Sequence, residues 1–183
     1  MNVVPTRLKD VVILEPRLFG DPRGYFFESW NAQTFRDAAG VAAQFVQDNE
    51  SRSRRGVLRG LHYQVEQAQG KLVRVARGSV FDVCVDLRRS SPTFGQWDGV
   101  ELSDENHRQL WIPAGFAHGY LVLSDSADFL YKTTDYYAPV HERTILWNDA
   151  QLNIAWPLDP GQQPNVSARD AAGAPFAQAP LFD

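Results

Sequence analysis

The stretch V-L-R-G-L-H-Y-Q, residues 57–64, indicates the fold most directly. Its apolar and aromatic residues favour a β-strand, and they carry one arginine, one glycine and one histidine in close order. A polar loop, residues 65–70, leads into a second strand pattern that begins at Lys71. We therefore predict a β-rich domain in which His62 is a proton-transfer base at the mouth of a barrel. Arg59 and Lys71 would hold an anionic substrate beside it.

Short strand patterns continue along most of the chain. Turn signals separate them about every ten residues, which is typical of a β-sandwich or barrel. The predicted strands cover residues 11–14, 25–30, 45–49, 57–64, 71–77, 79–87, 96–102, 109–112, 120–123, 129–133 and 143–147. A basic polar loop is expected over 51–56, and one short helix over 32–39 between an Asn31 cap and Gly40.

We predict a single domain over residues 1–183, with an irregular tail from about residue 157 that holds a short helix near 168–172. In the predicted strand 79–87, Phe81, Val83, Val85 and Leu87 share one face, and Asp82, Cys84 and Asp86 share the other. No internal repeat or domain boundary is evident.

Composition excludes several classes of protein. The net charge of −4 argues against a general nucleic-acid or anionic-membrane binder. Cys84 is the only cysteine, so no internal disulfide can form, which fits a reducing compartment. The first ten residues lack a secretory signal pattern, and no stretch is apolar for the length of a bilayer. A cytoplasmic protein is expected.

A second distinctive motif, P-x-G-x-x-H, occupies residues 113–118. In double-sheet jelly rolls of the cupin kind, this turn delivers a histidine, here His118, into the barrel. Metal-binding cupins pair it with an upstream H-x-H, whereas this chain has His62-Tyr63-Gln64 at that place. Two histidines without a third ligand make a poor metal site, so we predict a barrel without metal.

The spacing of Arg59 and His62 poses a geometric problem. Residues at odd separation face opposite sides of a regular strand. Either Gly60 marks a bulge that turns both side chains inward, or one of the two lies outside the site. Other candidates also have ordinary explanations: the phenols Tyr136 and Tyr137 suit amphipathic packing, and Asp170 alone suits a surface carboxylate.

Several further motifs, taken together, carry a specific resemblance. They are G-D-P-R-G at 20–24 with Glu28, F-V-Q-D-N at 45–49, V-L-R-G-L-H at 57–62, Q-G-K-L-V-R at 69–74, S-P-T-F-G at 91–95, P-A-G-F-A-H-G at 113–119, F-L-Y-K at 129–132, W-N-D at 147–149 and S-A-R-D-A at 167–171. With them the chain resembles the dTDP-4-dehydrorhamnose 3,5-epimerase family. The resemblance implies a mainly β, double-stranded jelly-roll (cupin-like) barrel with a few short helices, forming a homodimer. It also implies an enzyme without a cofactor, which uses neither nicotinamide nor metal.

The family resemblance also implies a reaction. The substrate would be dTDP-4-dehydro-6-deoxy-D-glucose, inverted at C3 and C5 in dTDP-L-rhamnose synthesis for O-antigen or other cell-wall polysaccharide. His62 would be the base, Asp170 its partner, Tyr131 the acid and Lys71 the partner of the enolate oxygen.

The same resemblance implies binding positions for the nucleotide sugar. They are Arg23, Glu28, Gln47, Asp48, Asn49, Arg59, His118, Tyr137, Glu142 and Arg169. Glu142 lies in a divergent segment, and the family often has lysine near Arg169. Three alternatives stay open: a single-carbon epimerase or ketoisomerase on this scaffold, a non-catalytic nucleotide-sugar-binding cupin, and, last, a metal-dependent dioxygenase.

Overall fold

Two antiparallel β-sheets face each other in the computed structural model, which describes residues 1–183. Thirteen strands are present: β1 Asn2–Pro5, β2 Val12–Glu15, β3 Phe19–Asp21, β4 Gly24–Phe26, β5 Gln47–Arg54, β6 Leu58–Gln64, β7 Lys71–Arg77, β8 Ser79–Asp86, β9 Trp97–Ser103, β10 Gln109–Ile112, β11 Phe116–Val122, β12 Ser126–Thr133 and β13 Glu142–Thr144. The prediction of a mainly β chain is confirmed.

The strand order places chemically important segments in opposite sheets. The six-stranded sheet runs β1-β2-β10-β7-β12-β5, and the five-stranded sheet runs β13-β6-β11-β8-β9. Strands β3 and β4 form a separate hairpin. Consequently the His62 strand lies in one wall of the sandwich, and the strands of Lys71 and Tyr131 lie in the other.

The alternation in β8 determines which residues enter the space between the sheets. Cys84 packs in the core cluster between the sheets, whereas Val83, Val85 and Leu87 belong to a cluster on the outer face. Asp82 and Asp86 have the same parity as Cys84 and are fully buried. The polar face of this strand is therefore the inner one.

The C-terminal segment covers the apolar outer face of the five-stranded sheet. Leu152, Phe176 and Ala179 are buried there against β6, β8 and β11, with Trp156 and Phe182 partly buried beside them. A short helix, α2 Ala168–Ala171, and a 3₁₀ turn, Phe176–Gln178, lie in this segment. The tail thus completes the sandwich with a third layer and brings α2 next to β6.

Helix α1 Ala32–Ala39 forms as its capping signals predict. The Asn31 side chain accepts hydrogen bonds from the backbone N–H groups of Gln33 and Thr34, and Gly40 ends the helix with φ of 70°. Phe35 is buried against Trp111 on the outer face of the six-stranded sheet. Neither helix is long and apolar enough to cross a membrane.

Two local predictions are wrong. Residues 51–56 are not a loop, because β5 continues to Arg54 and pairs with β12 throughout. Arg52 pairs with Asp128, and Arg55 pairs with Asp125, so these cations have partners that sequence patterns do not show. The predicted strand at 25–30 ends at Phe26.

Candidate active site

A cavity of about 330 Å³ opens between the two sheets, within the range usual for small-molecule sites. Both walls contribute: β5, β7 and β12 from one sheet, β6, β11 and β13 from the other. Nine of the predicted site residues line it: Gln47, Asn49, Arg59, His62, Lys71, His118, Tyr131, Tyr137 and Glu142. The fold therefore brings most of the predicted constellation into one space.

His62 is held by a carboxylate from the tail. Its Nε2 lies 2.5 Å from Asp170 Oδ1, and the side chain of Asp170 is only 5% exposed. Ser167 caps α2 by accepting a hydrogen bond from the Asp170 N–H, which fixes this carboxylate in place. Burial raises the pKa of Asp170, but the hydrogen bond and charge of His62 outweigh it and leave the pKa below its ordinary value. An ionised Asp170 keeps the proton on Nε2, so Nδ1 is free to accept one.

Tyr131 lies across the cavity from His62. It belongs to the inner face of β12, in the opposite sheet. Burial, together with the nearby Tyr120 and Glu142, raises its pKa above the ordinary value, although Arg59 opposes the shift. The phenol therefore stays protonated at neutral pH and is able to donate a proton.

Lys71 is the cation of the interior. It lies at the start of β7 and forms no ion pair within the chain. Burial lowers its pKa to about 8, while the negative charges of Glu142 and Asp82 act in the opposite direction. Its ammonium group is thus available to a negative charge that develops in the cavity.

The spacing problem of Arg59 and His62 is resolved by a bulge at Gly60. Opposite β11, His62 pairs with His118 and Arg59 pairs with Tyr120, so β6 contains one extra residue. Gly60 has φ of +111°, and an added Cβ would lie 2.6 Å from the carbonyl oxygen of His118. The bulge turns both Arg59 and His62 into the cavity, and the prediction of an irregular strand at Gly60 is confirmed.

A polar network forms one rim of the cavity. Glu142 pairs with the guanidinium of Arg169 and accepts a hydrogen bond of 2.7 Å from the Tyr137 hydroxyl. Burial raises the pKa of Glu142, but these two donors and the charge of His62 leave it below its ordinary value. Because Tyr137 is half exposed, its ring is presented to a ligand at the mouth.

Four predicted binding residues do not line the cavity of this chain: Arg23, Glu28, Asp48 and Arg169. Arg23 lies in the exposed β3–β4 hairpin and pairs with Asp21. Glu28 accepts hydrogen bonds from Asn31 and Thr34 near the start of α1. Asp48 accepts a hydrogen bond from Lys132 on the outer face of the six-stranded sheet. Arg169 reaches the site only through Glu142, and Asp170 only through His62.

Five further residues line the cavity that the sequence analysis did not select: Ser51, Gln69, Gly119, Tyr120 and Phe129. Strand parity could have found Tyr120 from His118 and Phe129 from Tyr131, since both pairs are two residues apart. The rings of Tyr120 and Phe129 stack with centroids 4.1 Å apart and form an apolar floor. Gln69 lies on a loop, where no periodicity could indicate it.

Metal-ligating side chains are not grouped in this chain. No cluster of three or more histidine, cysteine, aspartate or glutamate residues is arranged to hold a metal ion. The two cavity histidines are each directed to a carboxylate, His62 to Asp170 and His118 to Asp82.

Comparison with known proteins gives the family. The family model described as dTDP-4-dehydrorhamnose 3,5-epimerase matches residues 5–178. The chain belongs to the dTDP-4-dehydrorhamnose 3,5-epimerase family. A dTDP-4-dehydrorhamnose 3,5-epimerase from Pseudomonas aeruginosa is 61% identical over 182 residues, which cover 100% of this chain and 99% of the relative. This epimerase chain is accordingly an isomerase-class enzyme.

Solved structures of epimerases share the fold. The dTDP-6-deoxy-D-glucose-3,5-epimerase of Legionella pneumophila, in complex with dTDP-4-keto-L-rhamnose, has a TM-score of 0.95 at 53% identity, covering 99% of this chain and 97% of that one. A 3'-monoepimerase of Streptomyces bikiniensis, in complex with dTDP-quinovose, has a TM-score of 0.88 at 35% identity, covering 94% and 87%. The predicted cupin-like jelly roll is confirmed, and a 3,5-epimerase and a 3'-monoepimerase both share it.

Proposed function

We propose that this epimerase inverts C3 and C5 of dTDP-4-dehydro-6-deoxy-D-glucose to give dTDP-4-dehydro-L-rhamnose. The observation that carries the proposal is the cavity in which His62, Tyr131 and Lys71 come together from opposite sheets. The family and its 61% identical relative support the choice of substrate.

The chemistry explains why these three side chains are needed. C3 and C5 are both adjacent to the C4 ketone, so removal of either proton gives an enolate. His62 Nδ1 takes the proton, with Asp170 stabilising the imidazolium that forms. Lys71 stabilises the negative charge that develops on the C4 oxygen. The free energy of this charge is the main contribution to the barrier for enolate formation.

Inversion requires that the proton return from the opposite face of the sugar. His62 lies on β6 of the five-stranded sheet, and Tyr131 lies on β12 of the six-stranded sheet. A sugar ring between these walls has the base on one face and the phenol on the other. Tyr131 then protonates the enolate carbon from its side, and the configuration is inverted.

The remaining polar residues would hold the nucleotide. Arg59 lines the cavity and donates to Ser53, leaving other guanidinium N–H groups for the diphosphate. Tyr137 offers its exposed ring to the base, and Gln47, Asn49 and His118 offer hydrogen-bonding groups to the sugar.

Incubation with the keto sugar nucleotide in heavy water tests the reaction. We expect deuterium at both C3 and C5, measured by proton NMR and mass spectrometry. His62→Asn should reduce exchange at both carbons by about 10³-fold or more, because general-base catalysis contributes roughly 10²–10⁴ and the residue acts twice. Binding of dTDP should be largely retained.

His141→Asn is the matched control, because His141 lies outside the cavity and its imidazole has one charged neighbour, Glu66, at 3.7 Å. It should exchange both protons at the wild-type rate. Deuterium at only one carbon in the wild type would instead identify a single-carbon epimerase, and nucleotide binding without any exchange would identify a non-catalytic cupin.

We further propose that the protein works as a homodimer in the cytoplasm and supplies the 4-keto precursor of the rhamnose in O-antigen or cell-wall polysaccharide. Phe19, Tyr25 and Phe26 are exposed apolar residues on the β3–β4 hairpin that also carries Arg23. An exposed apolar patch of this kind favours association with another protein surface. Arg23 lies away from the cavity of its own subunit. In a dimer, the hairpin would reach the partner's cavity, and Arg23 would contact the nucleotide bound there. The buried, unpaired Cys84 suits a reducing compartment.

A further inference from the structure

Asp82 is a fully buried carboxylate with an incomplete set of hydrogen bonds. It lies on the inner face of β8, where Oδ2 accepts a hydrogen bond of 2.8 Å from His118 Nε2 and Oδ1 has no partner. Its neighbour on the same face, Asp86, accepts hydrogen bonds from Arg88, Ser91 and Thr93. A buried carboxylate without a compensating cation is costly, so its presence beside a cavity points to a role in that cavity.

One consequence of Asp82 concerns the His118 ring. An ionised carboxylate only accepts hydrogen bonds, so it selects the tautomer with the proton on Nε2. Nδ1, which makes no hydrogen bond within the chain, then carries a lone pair. The ring is further held by Phe129, with centroids 5.9 Å apart and planes 26° apart. His118 lines the cavity in this fixed orientation, ready to accept a hydrogen bond from a sugar hydroxyl.

The second consequence concerns the charge on Lys71. Glu142 and Asp82 are the two carboxylates whose negative charge opposes the loss of its proton on burial. Glu142 is already paired with Arg169 and hydrogen-bonded to Tyr137. No lysine or arginine is paired with Asp82, so its charge is the less compensated of the two.

The other ionisable groups around Lys71 do not replace this charge. Cys84, beside Asp82 on β8, is neutral because burial raises its thiol pKa well above the ordinary value. Apart from Glu142 and His118, the ionisable side chains that line the cavity with Lys71 are Arg59, His62, Tyr120, Tyr131 and Tyr137. None of these is a carboxylate, and Asp170 is committed to His62.

We propose that Asp82 is a positioning residue for the epimerisation: it orients His118 as an acceptor for a sugar hydroxyl and supplies the counter-charge that keeps Lys71 an ammonium ion beside the developing enolate. The inference rests on the proposed role of Lys71. It adds to that role a source for the lysine's charge and, at His118, an acceptor of fixed orientation for a sugar hydroxyl.

Asp82→Asn tests the charge, because asparagine keeps an acceptor oxygen for His118 and removes the negative charge. In the wild type, kcat/KM should fall at alkaline pH as Lys71 loses its proton. In Asp82→Asn we expect this alkaline limb of the pH profile to move to lower pH by on the order of one to two units. Asp128→Asn is the matched control: Asp128 is also a buried carboxylate, but it pairs with Arg52 outside the cavity. Its alkaline limb should coincide with that of the wild type.

An unmoved limb in Asp82→Asn, with the limb present in the wild type, would overturn the counter-charge. A second outcome concerns Lys71 itself. If the wild-type kcat/KM shows no fall at alkaline pH that Lys71→Arg removes, the proposed role of Lys71 is contradicted. The ring orientation is tested without a variant, by ¹⁵N NMR of histidine in the wild-type protein at pH 7. We expect His118 to show a protonated Nε2 and an unprotonated Nδ1, and the reverse tautomer would overturn the positioning role.

Discussion

At the scale of single residues, the most informative group is the Lys71 ammonium. Burial lowers its pKa to about 8, so it is largely charged at pH 7 and loses its proton as the pH rises through 8. Because only the charged form stabilises an enolate oxygen, we expect kcat/KM to fall about tenfold per pH unit above that value. Initial rates between pH 6 and pH 10 would measure this limb.

Lys71→Arg separates Lys71 from the other titrating groups. A guanidinium stays charged throughout this range, so the slower variant should lose the limb near pH 8. The pKa of Tyr131 is raised above its ordinary value, which places its ionisation at higher pH. A limb that remains near pH 8 in Lys71→Arg would show that another group limits the rate.

At the scale of elements, the bulge in β6 decides whether Arg59 and His62 share a site. Gly60→Ala places a methyl group 2.6 Å from the His118 carbonyl oxygen at a φ of +111°. We expect a loss of about 2–5 kcal/mol in the free energy of unfolding, from backbone strain and overpacking together, with a large loss of kcat. Chemical denaturation and initial rates would measure both.

Gly161→Ala is the control for backbone strain alone. Gly161 also has a positive φ, of +81°, but an added Cβ would meet nothing within 4 Å. It should cost only about 1–2 kcal/mol and leave activity unchanged. Equal effects of the two substitutions would mean that the close approach to β11 has no importance.

Element-level patterns in the sequence predicted some features better than others. Helix α1 was predictable because Asn31 and Gly40 satisfy its ends locally. The extent of β5 was not, because its alternating polar residues face the cavity on one side and solvent on the other. Polarity on both faces resembles a loop when only the sequence is considered, whereas pairing with β12 makes the segment a strand.

At the scale of the whole molecule, the hairpin that carries Arg23 gives a test of the homodimer. We expect Arg23→Ala and His62→Asn each to be nearly inactive, and a mixture refolded together to recover activity. In a mixed dimer, the subunit with an intact His62 would receive an intact Arg23 from its partner. Initial rates of the mixture, compared with each variant refolded alone, measure the recovery.

The same mixing experiment has two informative negative results. A mixture with no more activity than its components would contradict the delivery of Arg23 to the partner's cavity. A protein that sediments as a monomer while fully active would contradict the dimer altogether. The control mixes His62→Asn with Asp170→Asn, which both damage the same dyad and the same cavity, so no mixed dimer gains an intact site.

The sequence by itself determined the class of fold, the family and most of the residues that surround the cavity. Alternation, capping and short motifs are local signals, and they depend on neighbouring residues that the chain holds together covalently. Only the tertiary structure decided that the Gly60 bulge turns Arg59 and His62 to one side, that the tail delivers Asp170, and that Asp82 stands behind His118. His118 and Asp82 are 36 positions apart in the sequence, and His62 and Asp170 are 108 apart. Sheet register and packing bring each pair together. No local pattern contains that information.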